Sequence, residues 1–256
     1  MSKWAVVTGA TAGIGESFTR ILAHDGFNIV LVARDLDRMK ERAAHLESQF
    51  KVQTAIIQAD LATDEGCAKV EKYLRENQIE VLINNAGFGI NKAFSVSDID
   101  SEQQLLDVLV RTPMRLMHTV LPQMKERNSG SIINVSSVAG WIAGGTYSAS
   151  KSYLTVLSES LHTEMSGTGV KISALCPGFT RTEFHERGRM RMNGLPEFMW
   201  LSADRVVIQA WKENQNGKVL SVPGWQYLIL SSVSRFGPRP LVRKLGMNVR
   251  VRQRQK

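Results

Sequence analysis

Short apolar runs alternate along this chain with longer stretches whose apolar residues recur every three or four positions. The runs are Trp4-Ala5-Val6-Val7, Asn28 to Ala33, Val52 to Ala59, Glu80 to Asn84, Ser131 to Val135 and Val170 to Leu175, with a last one at Lys218 to Val222. Their length and their Val and Ile content predict strands, and the scarcity of polar interruptions predicts strands buried on both faces. Helical spacing follows the first run through Phe18, Ile21 and Leu22 and fills residues 99–125. It continues from Thr146 to about Met165, covers Ser202 to Asn214, and returns at Tyr227, Leu228, Ile229, Leu230, Val233 and Phe236. Strands and helices alternating without a proline-rich linker predict one α/β domain. Its core would be a doubly wound, mainly parallel sheet with helices on both faces and right-handed crossovers.

Ligands of such sheets gather at the C-terminal ends of the strands. The first strand ends in Thr8-Gly9-Ala10-Thr11-Ala12-Gly13-Ile14-Gly15. Gly9 suits a tight turn, and Gly13 and Gly15 let backbone N–H groups and a helix N-terminus approach a pyrophosphate, with Thr11 and Ile14 in the same turn. At the end of the second strand an acidic residue would hold the adenosine ribose of NAD. Here the chain has Ala33 and then Arg34, and an arginine suits a 2′-phosphate, so NADP(H) is the expected cofactor. Arg38 and Lys40 could add positive field there, but they read as helix surface. The third strand delivers Asp60 and Leu61, and Asp60 is expected either to cap the next helix or to touch the adenine. Asn85-Ala86-Gly87 follows the fourth strand, small enough to leave room for a cofactor backbone. Ser136-Ser137 ends the fifth, and Cys176-Pro177-Gly178 ends the sixth.

Tyr147 and Lys151 are four residues apart, so a helix places both on one face. An ammonium beside a phenol favours the phenolate, which predicts a tyrosine able to exchange a proton near neutral pH. With these residues assembled, the chain resembles the short-chain dehydrogenase/reductase family over roughly residues 3–225. The motifs that carry the resemblance are Thr8-Gly-x-x-x-Gly-Ile-Gly15, Asn84-Asn85-Ala86-Gly87, Ser137, Tyr147-x-x-x-Lys151 and Pro177-Gly178. The resemblance implies a Rossmann-type fold and hydride transfer between a nicotinamide and a carbonyl or alcohol. It implies that Tyr147 is the acid/base, that Lys151 lowers its pKa and holds the nicotinamide ribose, and that Ser137 polarises the substrate carbonyl. Thr180 and Thr182 would meet the carboxamide or pyrophosphate. Homodimers or homotetramers would form through the helices near 100–125 and 147–165.

One position departs from the family. Thirteen residues ahead of Pro122, where the family has an asparagine that helps hold a relay water behind the lysine, this chain has Leu109. Leucine cannot hydrogen-bond a water. The expected activity is therefore an NADPH-dependent carbonyl reductase, with a non-catalytic NADP(H)-binding regulator or scaffold as the alternative. Met190, Met192, Leu195, Phe198, Met199 and Trp200 predict a pliable apolar pocket for a lipophilic or 3-oxoacyl-type substrate. His185 reads as a surface residue.

Charge adds a boundary. Residues 226–256 carry eight Lys/Arg and no acid, whereas the remaining 24 basic residues match all 24 acidic ones. The predicted organisation is a catalytic domain over 1–225 and a basic, partly apolar extension over 226–256. The excess belongs to the extension, so nucleic acid is not an expected partner. The extension is expected to flank the substrate pocket, in preference to forming a peripheral membrane patch. Two distant cysteines without metal-ligand spacing, no apolar run near the roughly 18 residues of a membrane span, and a start that enters a strand at once predict a reduced, cytoplasmic protein without a metal site.

Overall fold

The structure is a computed structural model, and it describes residues 3–184, 196–238, 240 and 242–243. His185, Met190, Met192, Leu195 and most of the C-terminal cations lie outside the described residues. Seven parallel strands form the central sheet: β1 (Trp4–Thr8), β2 (Asn28–Ala33), β3 (Thr54–Gln58), β4 (Val81–Asn84), β5 (Gly130–Val135), β6 (Val170–Leu175) and β9 (Leu220–Ser221). A parallel two-residue pair, β7 (Thr180–Arg181) and β8 (Leu201–Ser202), stands apart from it. The strand order is β3-β2-β1-β4-β5-β6-β9. The chain reverses its direction of travel between β1 and β4, which opens a crevice above their C-terminal ends.

Alternation along each strand divides the apolar residues between two cores. Ala5, Val7, Ile29, Leu31 and Ile83 face one layer, where they meet Phe18 and Leu22 of α1 (Gly13–His24), Met39 of α2 (Leu36–Phe50) and Val206 of α7 (Ala203–Gln215). Val6, Val30, Val32 and Leu82 face the other. They meet Val70 of α3 (Asp64–Glu76), Leu116 and Val120 of α5 (Thr112–Glu126) and Leu154 of α6 (Gly145–Glu164). The doubly wound parallel sheet expected from the pattern is the observed one.

The single helix expected over 99–125 is broken. α4 (Ile99–Leu106) passes through a π-helical turn, Asp107–Arg111, into α5. Pro113 supplies the reason: it has no N–H to give the carbonyl four residues back, which belongs to Leu109. Helix α8 (Trp225–Phe236) buries Tyr227, Ser231 and Ser234.

Candidate functional site

The strand ends converge on one cleft of about 1040 Å3. At its floor Gly9 has φ +65° and Gly13 has φ +57°, the left-handed region that favours glycine. A Cβ on Gly9 would lie 2.9 Å from the Ala86 backbone, and one on Gly13 would lie 2.8 Å from Thr182. The start of α1 is bare: Ala12 offers its N–H groups no side-chain acceptor, whereas Asp35, Thr63, Asp98 and Ser202 cap α2, α3, α4 and α7. Uncapped N–H groups over a glycine cradle fit a phosphate. A dinucleotide therefore fits the residues present.

Asn85 braces this floor. Its Nδ2 donates to the carbonyls of Thr8 and Gly9, and its own N–H donates to Thr8 Oγ1 at 2.9 Å. Gly15, expected at the pyrophosphate, lies below the cleft instead. A Cβ there would fall 2.2 Å from the Gly9 carbonyl oxygen and 2.3 Å from Asn85 Nδ2, so this glycine lets α1 pack on the turn. Thr11, Ile14, Arg34, Asp60, Leu61, Asn85, Ala86, Gly87, Pro177, Gly178, Thr180 and Thr182 all line the cleft. Asp60 does not cap α3. Thr63 does, and Asp60 Oδ1 accepts the Ala62 N–H at 3.0 Å. Arg38, expected on open helix surface, reaches across to Glu183 in a two-pronged pair at 2.7 and 3.1 Å.

The opposite wall carries Ser137, Tyr147 and Lys151. The two adjacent serines diverge. Ser136 is buried and donates to the Lys151 carbonyl at 2.7 Å, while Ser137 opens a short 3-10 turn and its hydroxyl oxygen accepts the Ala139 N–H at 3.1 Å. Lys151 Nζ stands 5.6 Å from the Tyr147 ring centre but donates to the Val135 carbonyl at 2.6 Å. Burial pulls the Lys151 ammonium down to about 8. Burial likewise pushes the Tyr147 phenol up to about 12, against the pull of the Ser137 hydroxyl. The expected lowering of the phenol is thus reversed here, because desolvation disfavours both charged forms and the lysine is turned to a carbonyl. Cys176, beside this cluster, is pushed up to about 11 by burial and stays a thiol.

Leu109 sits in the π-helical turn, 1% exposed, with its Cδ2 2.8 Å from the place a Cβ on Gly87 would take. With Thr8, Asn84, Val135 and Lys151 it walls a pocket of about 10 Å3. Asn84 Oδ1 is buried there without a hydrogen-bond partner among the described residues. Thr8, Asn84, Thr112 and Lys151 supply the polar side chains around this pocket, and Leu109 contributes only an apolar one. Leu109→Asn is expected to change kcat by less than about tenfold, the size of one neutral hydrogen bond. A larger gain with unchanged dinucleotide affinity would show that the natural site is crippled.

Several cleft residues escaped the sequence pattern. Phe88, Ile90 and Ile142 also line the cleft; Leu230 lies on the helix expected to flank the pocket, and Phe184 stacks obliquely on Tyr147 at 5.9 Å. Met199 and Trp200, expected in the pocket, pack elsewhere: Met199 against the Tyr227 cluster and Trp200 on Phe179. Phe198 is exposed. Tyr227 supports the turn itself. Its hydroxyl accepts the Phe179 N–H at 2.9 Å and donates to the Met199 carbonyl at 2.6 Å, and a Cβ on Gly178 would strike its ring.

Residues 3–192 match the family model for short chain dehydrogenases, which is more than half of the chain. The chain belongs to the short chain dehydrogenase family. As a short chain dehydrogenase it is an oxidoreductase of the alcohol–carbonyl couple, and the family uses nicotinamide dinucleotides. The chain is 33% identical over 190 residues to a very-long-chain 3-oxoacyl-CoA reductase of Rattus norvegicus, a match covering 72% of this chain and 61% of that protein. Among solved structures it resembles a short-chain dehydrogenase of Sphingobium yanoikuyae in complex with NADPH, with TM-score 0.83 and 30% identity, covering 99% of this chain and 98% of the other. A bulky-bulky ketone specific alcohol dehydrogenase of Comamonas testosteroni aligns with TM-score 0.80 and 30% identity, covering 99% of this chain and 96% of the other.

Proposed function

We propose that this short chain dehydrogenase is an NADPH-dependent reductase of lipophilic carbonyl compounds, with 3-oxoacyl thioesters as the substrate class. The observation that carries the reading is the facing of two walls across one cleft: a glycine cradle on one side, Ser137, Tyr147 and Lys151 on the other. A bound nicotinamide supplies the hydride. Ser137 holds and polarises the carbonyl oxygen, Tyr147 gives that oxygen a proton, and Lys151 holds the ribose beneath. A phenol held at about 12 keeps its proton at pH 7, which suits reduction. Phe88, Ile90, Ile142 and Leu230, which line the cleft, support an acyl or bulky ketone substrate. The names of the rat and Comamonas relatives point the same way.

Arg34 supports NADPH over NADH: it follows β2 directly, is exposed, and lines the cleft beside Asp60. Arg34→Ala is expected to raise the KM for NADPH by about 10–100-fold, the loss of one charge-assisted contact, and to change that for NADH much less. Equal losses with both cofactors would remove Arg34 from cofactor choice. A homo-oligomer through α5 and α6 belongs to the same reading, since Met114, Tyr153 and Val156 stand exposed there. So does a reducing compartment such as the cytoplasm, since both cysteines are free.

The test is NADPH oxidation over 3-oxoacyl-CoA compounds of increasing chain length and a set of bulky ketones. Turnover that improves with apolar length is expected. Tight NADPH binding without turnover of any compound would favour the second reading, an NADP(H)-binding regulator, for which Leu109 is the one specific observation.

A further inference from the structure

α8 has two unlike faces. Tyr227, Leu230, Ser231 and Ser234 line the cleft. On the other side Trp225 is 67%, Ile229 60% and Phe236 83% exposed, with Leu228 and Val233 between them also exposed. Phe198 adds to this surface: it is exposed, and its carbonyl accepts Gln226 Nε2 at 3.0 Å. A surface helix ordinarily turns its polar side outward, and a continuous bare apolar stripe marks a docking face.

Charge says what docks. Arg235 lies within α8, stacked on Trp141 at 5.5 Å and 3.8 Å from Glu159, Arg243 is exposed just beyond it, and residues 226–256 hold eight cations and no acid. A second copy of this chain would carry the same net charge of +8 into the contact, where like charges repel. An anionic lipid surface offers both complements at once, phosphate-bearing headgroups for the cations and acyl chains for the stripe, with Trp225 and Phe236 suited to the boundary between them. Among the described residues no helix is long and apolar enough to cross a membrane, so the contact is peripheral.

We propose that the outer face of α8 seats the protein on an anionic bilayer surface. The inner face of the same helix then lines the way from lipid to Tyr147. This last clause rests on the lipophilic substrate proposed above, whereas the docking itself does not.

Full-length protein floated with vesicles of phosphatidylcholine and phosphatidylserine tests it, with vesicles of phosphatidylcholine alone as the comparison. Partition onto the anionic vesicles is expected, reduced about tenfold or more in Ile229→Asp/Phe236→Asp. Both side chains are exposed, and an unchanged circular dichroism spectrum and Tm check the fold. Equal partition of wild type and variant would overturn the proposal and leave binding to the cations alone. Failure to bind would overturn it too; a simultaneous change in sedimentation coefficient between the two proteins would assign the face to a second copy. Turnover of a water-soluble ketone is scored separately. Its absence with intact lipid binding would count against the reductase alone.

Discussion

Tyr147→Phe is expected to lower kcat/KM for carbonyl reduction by about 10²–10⁴-fold while dinucleotide binding persists. The substitution removes one oxygen and little else. The ring keeps its contact with Phe184 and its place over Lys151, so the cleft wall keeps its shape. What disappears is the proton that meets the developing alkoxide. The rate and the dinucleotide-induced rise in Tm are measured on both proteins. A rate above about one tenth of wild type, with the rise in Tm retained, would mean that another group donates the proton. The pH profile separates the two members of the pair. Because burial holds the phenol up to about 12, its titration leaves the reductive rate unchanged through pH 9. A decline that begins near pH 8 belongs to Lys151, whose ammonium burial has brought down to about 8.

The sign of the Tyr147 shift marks the limit of what residue spacing carries. Four-residue spacing establishes that Tyr147 and Lys151 share a helix face, and they do. It does not reveal that both are desolvated, nor that the Lys151 ammonium is held by Val135, sixteen residues away on β5. The strand ends were legible for a general reason. A parallel sheet buried on both faces writes itself as uninterrupted apolar runs, so the residues that terminate the runs are the residues on the cleft. Arg34, Asp60, Asn85, Ser137 and Gly178 were all legible in this way.

Features built from distant partners were not. Arg38 meets Glu183 across 145 residues, and Tyr227 meets Phe179 across 48. β7 and β8 are two residues each, too short for any periodicity. The break in the helix over 99–125 did have a local signal, Pro113, whose missing N–H leaves the Leu109 carbonyl without its usual donor. The apolar period over 99–125 carries no trace of that break. Met199 and Trp200 show the opposite limit. Apolar residues near a site need not line it, and Met199 and Trp200 serve the packing of Tyr227 and Phe179.

Lys151→Met is expected to abolish turnover and, at pH 7, to raise Tm. The lysine is 5% exposed, with its ammonium facing one carbonyl. Its depression from 10.5 to about 8 is the mark of a charge held where water would serve it better, a penalty of about 3 kcal/mol while the group is charged. Methionine fills a similar volume without charge, and such replacements are neutral or stabilising by about 1–4 kcal/mol. Loss of the bond to Val135 returns part of that, so a gain of about 1–2 kcal/mol, or about 2–8 °C in a protein of this size, is expected. The sign with pH follows from proton counts. Below about 8 both folded and unfolded lysine are charged, and the folded protein carries the full penalty. Between about 8 and 10.5 the unfolded chain binds more protons than the folded one, so wild-type stability rises with pH relative to the variant. The variant's advantage therefore shrinks across that window and is gone above it. Thermal melts of both proteins from pH 6.5 to 10 measure this, each variant value paired with wild type in the same buffer so that other titrations cancel. A difference in Tm that stays constant over that range would show that Lys151 is not held at a depressed pKa, and that its place in the cleft is electrostatically ordinary.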